Sequence, residues 1–187
     1  MPKSQGITKF FPHLAGSLVL ASTALVGFLG QWEGQGQFVV YADKLAGGLP
    51  TVCKGLTRHV TTTPIIVGQR WSAEKCEREE LAALQRVQTA LAQCFKVLPP
   101  QYVFDAASSH AWNFGHPSTC ASLAMQSFNR ADWDTGCRRL SLSDTGRPVW
   151  SFTTRTDPKT GEKIVTFVQG LANRRKAETS FCRQGVV

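Results

Sequence analysis

Hydrophobic positions fall into three regimes along the chain. Residues 10 to 30, FFPHLAGSLVLASTALVGFLG, form an uncharged run with Lys3 and Lys9 on its N-terminal side. Such a run has the basic flank and the length of an export signal, and is also long enough to span a bilayer. Short extended stretches follow, Phe38 to Tyr41 and Thr51 to Cys53, on either side of Gly47-Gly48, a pattern that predicts a small β-hairpin. From Ser72 the period lengthens. Leu81, Leu84, Val87, Leu91 and Phe95 recur at three- and four-residue spacing and predict a helix stopped by Pro99-Pro100. Val103, Ala106, Ala107, Ala111 and Phe114 mark a second helix ending at Gly115, with shorter ones over 118 to 129 and 131 to 140. Residues 147 to 168 read as extended, with WSFTT and KIVTFV flanking the turn-rich segment 157 to 161, and a last helix covers about Leu171 to Cys182. The class is α+β, with a small N-terminal sheet and a mostly helical lobe.

Two organisations fit the N-terminus. Residues 10 to 30 are a cleaved signal peptide, with small residues near 21 to 24, or an uncleaved anchor weakened by Gly16, Ser17, Ser22, Thr23, Gly27 and Gly30. The anchor is the favoured reading because no linker separates this segment from Trp32 and Glu33. The expected organisation is then a membrane-associated segment over 1 to 30 and one exported domain over 31 to 187.

Charge and cysteine usage narrow the setting. The 187-residue chain carries a formal charge of +8, which suits an acidic partner such as nucleic acid, anionic lipid or the bacterial envelope, and equally keeps a protein soluble. Cys53, Cys76, Cys94, Cys120, Cys137 and Cys182 are dispersed, with no CxxC pair. An even, scattered set predicts disulfides in an oxidising compartment rather than a zinc site, in agreement with export. His13, His59 and His116 share no ligand spacing, so neither metal nor cofactor is expected.

The chemistry-bearing pattern begins at Glu33-Gly34, continues through Tyr41-x-Asp43, and ends in Gly48-x-Pro50-Thr51-Val52-Cys53-x-Gly55-x-Thr57. It puts one carboxyl at the end of a helix, a second on the first hairpin strand, and a hydroxyl on the second strand opposite Asp43. Glycoside hydrolysis needs one carboxyl that donates a proton to the leaving oxygen and another that stays ionised on the opposite face of the sugar. Trp32 offers Glu33 apolar surroundings. On their own, two acids at this spacing are more often solvated surface charges.

These residues closely resemble the phage-type lysozymes, glycoside hydrolase family 24, in their lambdoid signal-arrest-release form. The EG start, the YxD step and the PTVCKGLT end carry the likeness. SAEKC, HAWNFG, GLANRRKAE and the following FC extend it over about residues 30 to 185. The resemblance implies a lysozyme-like fold and an endolysin that hydrolyses the β-1,4 bond between N-acetylmuramic acid and N-acetylglucosamine in peptidoglycan, lysing the host. It gives Glu33 the role of general acid, Asp43 that of base or water-orienting carboxylate, and Thr51 that of the water-positioning hydroxyl. Asp43 stands one residue further from Glu33, and Thr51 two further from Asp43, than in the family pattern, with Thr57 as the rival hydroxyl. The expected disulfides are Cys53–Cys76, Cys94–Cys120 and Cys137–Cys182. Residues 10 to 30 resemble a signal-arrest-release segment that contacts the inner membrane before release. No cysteine precedes Cys53, so release by disulfide exchange within that segment is not available.

Asn113, Gly115 and His110 are candidate substrate-binding residues. The plainer alternatives are a helix C-terminal cap for the first two and a core or cleft-wall histidine for the third. Trp112, Trp133 and Trp150 suit either sugar stacking or core packing. Arg138, Arg139, Arg174, Arg175 and Lys176 read as solvated basic faces, or as contacts to anionic wall or lipid. The expected partner is the glycan strand, not nucleic acid, and the expected state a monomer. Two rival functions stay open, a lytic transglycosylase and a non-enzymatic cationic wall- or membrane-binding protein.

Overall fold

The computed structural model describes residues 6 to 33, 36 to 44 and 47 to 186. In chain order it contains strand β1 (Ile7–Phe11), a 3-10 turn (Pro12–Leu14), β2 (Gly16–Leu20), helix α1 (Thr23–Gly30), β3 (Gln37–Asp43) and β4 (Leu49–Cys53). Then come α2 (Ala73–Ala92), α3 (Gln101–Phe114), α4 (His116–Cys120), α5 (Leu123–Phe128), α6 (Trp133–Arg138), β5 (Phe152–Thr156), β6 (Lys163–Phe167) and α7 (Gln169–Arg183). The strands pair as antiparallel hairpins, β1 with β2, β3 with β4 and β5 with β6. This is the α+β arrangement expected, with helices making the body.

Helix α3 is the axis of that body. Residues Val103 to Ala111 are buried without interruption, because Ala106, Ala107, Ser108, Ser109 and Ala111 are small enough for α2 and α7 to pack closely on different sides. The serine hydroxyls are satisfied inside. Ser108 Oγ donates to the Phe104 carbonyl and accepts from Gln88 Nε2, while Ser109 Oγ donates to Glu178. Gly115, with φ at +80°, ends the helix, and its N–H bonds the Ala111 carbonyl. Ser72 caps α2 by accepting from Lys75 N.

The uncharged run at 10 to 30 takes a different form from one continuous helix. It splits into the end of β1, the 3-10 turn, β2 and α1, with left-handed backbone at Ala15 and Ala21 marking the breaks. Pro12 has no N–H to extend a helix backwards, and α1 begins only at the Ser22 cap. The segment is core: Phe11, Leu14, Leu18, Leu20, Leu25, Phe28 and Leu29 are buried in the apolar clusters of the body. Two buried polar contacts fix it. Gln88 Oε1 accepts from Ala21 N at 2.6 Å, and Ser22 Oγ donates to Asp105 Oδ2 at 2.6 Å. Phe28 stacks on Phe181 of α7, ring centroids 4.7 Å apart. Among the described residues no helix is long and apolar enough to cross a membrane.

Disulfides join Cys53 to Cys76, Cys94 to Cys120 and Cys137 to Cys182. The first ties the β3–β4 hairpin to α2 beside a second apolar cluster of Val40, Val52, Leu56 and Trp71. The stretch expected as one helix over 118 to 129 is two, α4 and α5, separated at Ser122, whose hydroxyl caps the second. The β5–β6 hairpin projects from the body, with every strand residue but Ile164 exposed.

Candidate active site

Glu33 lies three residues past the end of α1, and its backbone N–H still bonds the Leu29 carbonyl. Its Oε1 accepts a hydrogen bond from Arg174 Nη1 at 3.0 Å. Arg174 belongs to α7, where Arg174, Arg175 and Glu178 share the buried side with Phe181 and Cys182. The expectation of a solvated basic face therefore fails at Arg174 and Arg175, which are 6% and 0% exposed. Their charges are balanced inside. Glu178 Oε1 accepts from Arg175 Nη2 at 2.7 Å and lies 3.5 Å from Arg174 Nε. The chain Glu33, Arg174, Glu178, Arg175 is an alternating line of charge from the groove into the core. Burial raises the Glu178 carboxyl above its ordinary range, against the opposing pull of the two guanidiniums and Ser109.

Glu33 lines an open groove of about 620 Å³ between α1, α2 and the bases of β3 and β4. Leu29, Phe38, Leu84 and Trp112 make much of its apolar wall, and Glu80 adds a second carboxyl. Burial raises the Glu80 carboxyl; the Lys54 N–H at 2.8 Å opposes this, and the nearby negative charge of Glu33 adds to it. Neither Glu80 nor Arg174 was signalled as a site residue by motif. For Arg174 the available signal was helical spacing, since Ala172, Arg174, Arg175, Glu178, Phe181 and Cys182 trace one stripe.

Asp43 and Thr51 do not line that groove. They sit further along the hairpin, where Asp43 pairs with Leu49 and Thr51 with Tyr41. Thr51 is therefore not directly opposite Asp43. The alternation of an antiparallel pair still puts Asp43, Tyr41, Leu49 and Thr51 on one face, with Thr51 diagonal to Asp43. The displacement of two residues along the ladder follows from the longer turn, which contains Gly47 and Gly48, both at positive φ. Thr51 is buried, and its hydroxyl donates to the Leu49 carbonyl at 3.0 Å, leaving oxygen lone pairs to accept. Thr57 lies past the tight Val52–Leu56 turn, off this face, and accepts from His59 N. Gly34 falls outside the described residues.

The other candidates separate clearly. His110 is fully buried; its Nδ1 is 2.8 Å from Thr119 Oγ1, and its ring packs against Phe114 and Trp150. Burial, then the charges of Arg175 and Arg174, push this imidazole well below its usual pKa, so it is a neutral core group. It offers no open face to a sugar, which corrects its place among substrate-binding candidates. Gly115 is the α3 cap, and Asn113 is exposed two residues before it. Trp112 lines the groove, whereas Trp133 packs on the core and Trp150 on His110. Trp32 is half-buried against Phe28, beside Glu33 as expected. Arg138 and Arg139 both bind Asp144 at the surface, and Lys176 is exposed.

The family model for phage lysozyme matches residues 30 to 178. The chain belongs to the phage lysozyme family. As a lysozyme it is a glycoside hydrolase of peptidoglycan, and its place of action is the cell wall. No curated protein sequence matches it. Solved structures share the lysozyme fold at low identity. An endolysin from Escherichia coli O157:H7 phage FAHEc1 is 22% identical, with a TM-score of 0.67 over 97% of this chain and 98% of that one. The muramidase domain of SpmX from Asticaccaulis excentricus is 20% identical, with a TM-score of 0.66 over 86% and 95%. A mutant of P22 lysozyme is 23% identical, with a TM-score of 0.62 over 87% and 96%.

Proposed function

We propose that this lysozyme is an endolysin that hydrolyses the β-1,4 bond between N-acetylmuramic acid and N-acetylglucosamine, with Glu33 as the general acid. The observation that carries this is Glu33 itself, a carboxyl at a groove wall held in one orientation by Arg174 from the far end of the chain. Glu33 protonates the glycosidic oxygen as the bond breaks. Asp43 orients a water on the opposite face of the sugar, with Thr51 as a further acceptor on the same hairpin face, and attack by that water inverts the anomeric carbon. Arg174 positions Glu33 and does not touch the bond being cut. Glu33→Gln should abolish turbidity loss of permeabilised cells, and the wild-type products should carry reducing ends. Persistent lysis by the variant would overturn the assignment, and anhydro-sugar ends would make the enzyme a transglycosylase.

Residues 10 to 30 we assign a membrane-associated stage before they dock. Three features support it: the run is uncharged, its docked form buries seven large apolar side chains, and no disulfide ties it to the body. In that stage Glu33 is held at the bilayer surface, away from Arg174. N-terminal sequencing of membrane-associated protein decides, and a new terminus near residues 23 to 25 would show ordinary signal cleavage instead.

A further inference from the structure

The β5–β6 hairpin does little for the fold that holds it. An isolated two-stranded ribbon is marginal in water, and this one has exposed residues on both faces. It is nevertheless built with care. Asp157 Oδ1 accepts from Lys159 N and Thr160 N, the Gly161 N–H bonds the Asp157 carbonyl, and Gly161 takes the positive φ that the turn requires. At the root Val168 N bonds the carbonyl of Ser151, which is fully buried, and Trp150 is clamped against His110 and Phe114. The arm is thus fastened to the body and held open.

Its two faces differ. The register pairs Phe152 with Phe167, Thr154 with Val165 and Thr156 with Lys163, so these six share one face. Phe152, Phe167 and Val165 are 43%, 44% and 61% exposed, and the two phenyl rings meet edge to face at 5.5 Å. An exposed apolar strip bordered by hydroxyls and an ammonium marks a binding surface. Aromatic rings accept the C–H face of a pyranose, threonines its hydroxyls, and Lys163 a carboxylate. A lipid surface fits less well, because Asp157 and Glu162 sit at the turn and offset two of the three cations, Arg155, Lys159 and Lys163. Position agrees with the glycan. The returning strand runs straight into α7, and Arg174, the partner of Glu33, lies six residues after Val168, about 9 Å along the helix.

We propose that the β5–β6 arm is a second glycan-binding surface, on which the face of Phe152, Val165 and Phe167 holds a peptidoglycan strand away from the bond being cut. The proposal rests on the lysozyme reading above, and binding and cleavage test the two separately. The probe is peptide-free glycan strands released from purified sacculi, fluorescently labelled and sorted by length. F152S/F167S should weaken binding of long strands about tenfold and raise their KM to match, with kcat and the cleavage of short oligosaccharides unchanged. F152W/F167W should restore both. If the serine pair folds poorly, Val165→Glu, at the most exposed apolar position of the arm, carries the test and should weaken binding several-fold. Unchanged long-strand binding in a folded variant would overturn the arm, as would loss of binding to phosphatidylglycerol vesicles with glycan binding intact. Strands bound through the arm but never cut would instead count against the active-site reading alone.

Discussion

Arg174 Nη1 and Glu33 Oε1 meet at 3.0 Å across 141 positions of sequence. The contact joins a residue just beyond the first helix to the last helix, and behind it Glu178 anchors Arg174 within a buried network. Positioning of the proposed acid therefore depends on groups that never approach a substrate.

Removal of the anion behind that contact should be costly. Glu178→Ala leaves Arg175, fully buried, and Arg174 without their shared partner. Unfolding in urea should show a loss of about 3–5 kcal/mol, the usual result of stranding a buried charge. Activity at low temperature, where the variant stays folded, should fall through kcat more than through KM.

Asp105 should give stability an unusual pH dependence. Burial raises its carboxyl from 3.8 to about 6, against opposing hydrogen bonds from Ser22 and Gln101. The folded state thus holds this proton more tightly than the unfolded chain. The stabilisation is complete below about pH 4, is lost as pH rises toward 6, and stays absent above, a swing of about 3 kcal/mol. Asp105→Asn removes the titration, so its stability relative to wild type should improve by about that amount between pH 4 and pH 7. Thermal unfolding across that range is the check, and parallel curves for the two proteins would refute it.

The hairpin disulfide has a separable role. Replacing Cys53 and Cys76 by alanine should lower stability by about 2–4 kcal/mol, seen in chemical denaturation. Cleavage should fall further than for the equivalent Cys94–Cys120 variant, because only the first bond secures the strand that bears Thr51.

Gly136 is closed to any larger residue. A Cβ there would run into the ring of Phe128, itself fully buried among Phe95 and Trp133. Gly136→Ala should lower stability by about 1–3 kcal/mol, the usual range for overpacking, despite its gain in helix propensity. The melting temperature reports it.

What the sequence disclosed depended on whether a residue's partners were local. Helices α2 and α3 are legible because spacing, the Ser72 cap and the Gly115 stop all lie within the segment. The β3–β4 hairpin is legible from its strands and Gly-Gly turn, but its register is not. The turn is lengthened, and a shift of two residues along the ladder moves Thr51 from opposite Asp43 to diagonal. Residues 10 to 30 are ambiguous in principle, since an apolar run is equally suited to lipid and to a protein core. What fixes their folded form is remote, namely Gln88, Asp105 and Phe181. The basic pair at 174 and 175 misleads for the same reason. A guanidinium reads as surface until Glu33 and Glu178 are known to face it.

The stacked rings of Phe28 and Phe181 set an order of events during synthesis. The first helix can close on the last only after ribosomes have delivered almost the whole polypeptide. A nascent or truncated chain lacking α7 has neither that lid for its first helix nor the guanidinium that steadies Glu33.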